Sequence, residues 1–193
     1  MNYAVLQVYG WFAYLSAAAT ILTFITGILF FSKGEPFGKI NDISSVFQVL
    51  FMIPVADLML HTGPAGDSGL VLIASIIGIS GMILTAVGQS LLVFGRIDFQ
   101  GSLKFFPAGG AIGIWLILVS VLIVMRGQFP PLLAWIGILA GSGYLATVIG
   151  FLMGGQQNKL FYIGAFVLGI SYPIWAIWLG RLLMIGVFGT SPG

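Results

Sequence analysis

The stretch MIPVADLMLH, residues 52–61, places an aspartate and the chain's only histidine four residues apart inside an apolar run. On a helix this spacing sets Asp57 and His61 about 40° apart on one face. A carboxylate and an imidazole so arranged suit three roles: a ligand or proton site, half of a structural ion pair, or a helix end that already reaches the wet headgroups. The choice matters because an ionisable group at membrane depth costs at least ~2.5 kcal/mol and faces a partner or a cavity. Arg181 is the candidate partner, since it sits near the matching end of the last apolar segment. The depth offset of roughly 9 Å, at 1.5 Å per residue, is within reach of a long side chain and modest tilt. The sequence therefore predicts that Arg181 holds Asp57 inside a bundle, with His61 at its boundary. Trp175 and Trp178 precede Arg181 and offer a cation–π contact or a plain interfacial anchor.

Other polar residues lie deeper in apolar runs. Tyr144 and Tyr172 need hydrogen-bond partners at mid-membrane. With Thr85 and Ser171 they would line a midplane cavity if the protein transported a small molecule. Gln89 suits an interhelical hydrogen bond. The candidate ligand-binding set is thus Asp57, His61, Arg181, Tyr144, Tyr172 and Thr85. Catalytic signatures fail. Gly78-Ile79-Ser80-Gly81 matches the GxSG of rhomboid proteases, but no histidine on the last helix stands ready as its base. Every lysine falls in a loop, so a retinal Schiff base has no site. One histidine cannot build a two-histidine haem or metal centre. The absence of cysteine removes thiolate chemistry and cysteine-bound metals. No cofactor, metal or catalytic residue is expected, and the chain reads as a non-enzyme.

The elements that must hold these residues follow from composition. Of 193 residues, 59% are hydrophobic and only 6% charged, and mean hydropathy is +1.12. A soluble domain carries about a quarter charged residues, whereas a spanning helix needs about 20 apolar ones. One all-α domain, residues 1–193, is predicted: a polytopic bundle of six transmembrane helices near 11–31, 43–60, 70–93, 108–125, 132–153 and 161–184. Asn41 or Asp42 would cap the second helix and Asp67 or Ser68 the third. Lys33, Lys39, Arg96, Lys104 and Lys159 fall in alternate loops, against Arg126 and Arg181 opposite. The positive-inside rule puts the larger group in the cytoplasm and both termini outside, in the cell's inner (plasma) membrane. No basic cluster tracks phosphates, so nucleic acid is not a partner.

Small residues recur at four-residue spacing, as Gly109-Gly113, Gly137-Gly141, Gly150-Gly154, Ala13-Ala17, Ala74-Gly78 and Ala165-Gly169. They serve close helix packing, or contact with a partner subunit or second copy. Gly-Ile-Ser appears in both the third and sixth helices, each followed by a Gly-Arg pair, Gly95-Arg96 and Gly180-Arg181. That suggests two three-helix inverted halves.

Two segments, GIWLILVSVLIVMRGQFPPLLAWIGILAG (113–141) and YPIWAIWLGRLL (172–183), resemble a group of uncharacterised bacterial six-span membrane proteins. That resemblance implies architecture and no catalytic residue. Ala13-x-x-x-Ala17 is similar to the small-residue coupling motif of substrate-binding subunits of energy-coupling-factor transporters, which would imply docking to a partner. The leading expectation is a non-catalytic membrane protein that binds membrane lipid or an apolar small molecule, or serves as an accessory subunit. The alternative is a small-molecule transporter or a transporter's binding subunit.

Overall fold

Among the described residues the protein is an all-α bundle with six helices long and apolar enough to cross a membrane. The structure, a computed structural model, describes residues 2–61, 69–127 and 129–186, with His61 and Arg126 described as helix backbone. The spanning helices are α1 (Tyr3–Lys33), α2 (Phe37–His61), α3 (Gly69–Val93), α5 (Ala108–Arg126), α6 (Pro131–Gly154) and α7 (Lys159–Met184). A short α4 (Phe99–Ser102) lies between α3 and α5.

The helices begin and end where the backbone can be satisfied. Asn2 caps α1 by accepting from the Ala4 amide, so this helix starts eight residues before the expected position 11. Its 31 residues span about 46 Å at 1.5 Å each, more than the ~30 Å hydrocarbon layer. Helix α2 begins at Phe37, so Asn41 and Asp42 lie inside it and neither caps it. The Asn41 amide instead donates to the Thr23 carbonyl of α1 at 2.6 Å. Asp67 and Ser68 lie outside the described residues. Asp98 caps α4 through the Gly101 amide, a turn of helix the apolar pattern did not announce. Gly127 ends α5 in the left-handed region, φ 63°, which glycine adopts without strain. Pro131 opens α6, where a missing amide costs nothing.

Each spanning helix packs on two others, in the ring order α1, α2, α3, α5, α6, α7 and back to α1. The interior is filled by large side chains: Trp115, Trp175, Tyr172, Met52, Met82 and Leu116 are fully buried. Lipid offers no hydrophobic drive for this assembly, so close contact and dispersion must supply it. The small residues do so. A Cβ on Gly113 would lie 2.8 Å from the Gly141 carbonyl, and one on Gly141 2.7 Å from that of Gly113, so α5 and α6 touch backbone to backbone. Ala13 and Ala17 are also buried, at 0% and 1% exposure. They pack inside the bundle and present no docking face, so the similarity to a coupling motif finds no exposed counterpart.

Candidate functional site

Asp57 and Arg181 do not meet. Asp57 is half-buried on α2 and accepts a hydrogen bond from the Tyr9 hydroxyl of α1 at 3.0 Å. Among the described residues no ion pair joins it to Arg181, whose side chain is exposed. The cause is helix order. Helix α1 lies between α2 and α7, and the neighbour of Tyr9, Gly10, packs on Gly180 and Met184 of α7. Depth was matched in the sequence argument; lateral position was not. His61 is the last residue of α2, and its side chain lies outside what the structure describes. Trp175 is no interfacial anchor, because it is fully buried and stands edge-to-face with Trp115, ring centroids 6.4 Å apart.

The two tyrosines do take partners. Gln48 Nε2 of α2 donates to the Tyr144 hydroxyl of α6 at 2.8 Å, a bond across the ring between helices that are not neighbours. That hydroxyl in turn approaches the Met52 sulfur at 3.8 Å. Tyr172 of α7 shares a 2.9 Å bond with Ser16 of α1. Ser171 donates back to the Val167 carbonyl of its own helix. The expected polar midplane cavity is therefore not built from these side chains, whose polar atoms are occupied by protein. Thr85 differs, since its hydroxyl is buried with no partner.

It is not alone. Ser75 Oγ, Gln89 Oε1, Ser120 Oγ and the indole nitrogens of Trp115 and Trp175 are likewise buried without partners. Gln89 does not use its carbonyl in the interhelical bond expected of it. An unmade buried hydrogen bond costs roughly 1–3 kcal/mol, so a row of them is a standing liability. Three of the six, Ser75, Thr85 and Gln89, lie along α3. Sequence reading missed the row, because a buried serine or tryptophan is unremarkable until its surroundings prove to lack a partner. Ser80 of the GxSG match is exposed on α3.

An open groove lies outside the ring. Between α2 and α3 runs a groove of about 360 Å³, with Leu50 and Ile53 on one wall and Ile83, Val87, Leu91 and Phe94 on the other. Ala86 and Ser90 complete it, and Ser90 is its only polar residue. It starts near mid-membrane and follows the last three turns of α3 towards the lysine-rich end. Its upper end lies by Pro54, which lacks the amide that would bond the Leu50 carbonyl and weakens α2 there. Past Phe94 stand Arg96 and Lys104, both exposed.

Fold and site together define a multi-pass helical membrane protein with a lipid-facing apolar groove and a side-chain-filled interior. The chain matches no family model and has no significant match among curated proteins or solved structures.

Proposed function

We propose that this protein is a non-catalytic integral membrane protein that binds a membrane lipid by one acyl chain, in the groove between α2 and α3. The observation that carries this reading is the groove: its volume falls within the ~300–1,000 Å³ of ligand clefts, and its lining is apolar at hydrocarbon depth. The lysine-rich end, with Lys33, Lys39, Arg96, Lys104 and Lys159, faces the cytoplasm of the plasma membrane, and both termini face outward. The groove then opens to the cytoplasmic leaflet, where Arg96 and Lys104 favour anionic headgroups by about 1 kcal/mol each. Few ionisable side chains reach the interior, which supports a role without chemistry.

Native mass spectrometry of the detergent-purified chain tests this. Wild type should retain an anionic phospholipid through delipidation, and Val87→Trp, which fills the groove from its exposed wall, should not. Equal retention by both proteins would remove the groove from the account.

A further inference from the structure

The two halves of the bundle are not inverted copies. The ring order α1, α2, α3, α5, α6, α7 runs the same way round in both, while three spanning helices in each half reverse the helix directions. No two-fold axis in the membrane plane produces that, so the inverted halves suggested by Gly-Ile-Ser are not built. The groove between α2 and α3 is therefore to be understood from its own residues. Its lining is apolar except for Ser90, which lies three residues before the end of α3 at Val93, about 4.5 Å inside it at 1.5 Å per residue.

A hydroxyl in apolar surroundings ordinarily bonds back to its own helix. Ser142 donates to the Ile138 carbonyl at 2.8 Å, Thr147 to that of Gly143 at 2.8 Å and Ser171 to that of Val167 at 2.6 Å. Ser90 Oγ makes no such bond and has no other partner among the described residues, although its side chain is half-buried and lines the groove. Ser75, Thr85 and Ser120 are unpartnered too, but their hydroxyls are sealed from outside. Ser80 is exposed at the middle of α3, far from any headgroup. Just past Ser90 the chain turns. Gly95, at φ 64°, ends the helix so that the Arg96 amide donates to the Leu91 carbonyl at 2.8 Å. Leu91 is itself a groove residue, so an exposed cation is fixed at the mouth, next to Phe94. The Phe105 ring, seated on Gly88, keeps Lys104 at the same end of α3. From the mouth inward the order is thus cation, free hydroxyl, then apolar lining to Ile83, Leu50 and Ile53.

A glycerophospholipid presents the matching order: a phosphate, an ester carbonyl a few bonds inward, then hydrocarbon. A fatty acid or a sterol carries no acceptor between its head and its hydrocarbon, and an ether lipid carries no carbonyl there. We infer that Ser90 makes the groove selective for ester-linked glycerophospholipid, its hydroxyl donating to one acyl ester carbonyl while Arg96 meets the phosphate. This rests on the lipid-binding reading above and names the bond that selects the lipid. A donor without a protein partner gains its hydrogen bond only when such a lipid is bound, and a lipid lacking the carbonyl leaves it unmade.

The test offers the delipidated full chain an equal mixture of phosphatidylglycerol and its diether analogue with chains of the same length, and reads the retained lipid by native mass spectrometry, which resolves the two by mass. Wild type should retain the ester lipid several-fold over the diether, the size of one hydrogen bond. Ser90→Ala should lower ester retention to the level of the diether, and Ser90→Thr, which keeps the hydroxyl, should restore the preference. Arg96→Gln should lower retention of both lipids and leave their ratio unchanged. Wild-type protein that retains both lipids equally overturns the inference and leaves the binding reading standing. Protein that retains neither overturns both. An ester preference that persists in folded Ser90→Ala also overturns the inference, because the selecting bond would then lie elsewhere.

Discussion

The α2–α3 and α6–α7 pairs lie across the ring from each other, yet one carries an open groove and the other is closed by backbone contact. In α6–α7 the contacts are glycine on backbone: a Cβ on Gly143 would sit 2.7 Å from the Leu168 amide nitrogen. On α2 the fully buried Met52 instead points inward, its sulfur 3.8 Å from the Tyr144 hydroxyl. Helix pairs in lipid close when small residues let backbones meet. On the outer side of α2–α3, Leu50, Ile53, Ile83 and Val87 line a groove instead. Glycine placement thus marks the closed seam, although the helices of both pairs are apolar enough to span a membrane.

The largest effects should come from breaking this contrast on each of its sides. Met52→Ala leaves a void in the core and should destabilise by about 2–5 kcal/mol. Gly143→Ala instead forces α6 from α7 and should cost about 1–3 kcal/mol. Thermal unfolding in detergent reads both, and a neutral Gly143→Ala would show that backbone contact does not hold the closed seam. Next in size is the bond across the ring. Gln48→Leu and Tyr144→Phe should each lose about 0.6 kcal/mol, at most ~1.7, and a double-mutant cycle should show them coupled. Additive losses would mean that the bond adds nothing. The smallest effect is expected at Arg181. Arg181→Gln should change stability by no more than about 0.5 kcal/mol and should not couple to Asp57→Asn. Tyr9→Phe should couple to Asp57→Asn, and the reverse pattern would restore the abandoned ion pair.

Much of the fold was legible because hydropathy and span length are one-dimensional properties. The six spans follow from them, and the structure mainly lengthens α1 and adds α4. The small-residue spacing also marked packing faces, and Gly113 with Gly141 is where two helices touch. Lateral order was not legible, because depth can be counted along a chain while the neighbour of a helix cannot. Asp57 and Arg181 show this, since matching depth left α1 between them. The groove left no sequence signal, because Leu50 and Val87 look like any lipid-facing residue.

The chain has no cysteine, so a single introduced one is unique. A benzophenone attached at Val87→Cys, on the groove wall, or at Trp178→Cys, on the closed pair, can be photolysed in native membranes and the adducts read by mass spectrometry. The expected result is phospholipid adducts several-fold more abundant from position 87 than from position 178. Equal yields at the two positions would contradict the account, because the groove would then be no more than ordinary lipid-facing surface.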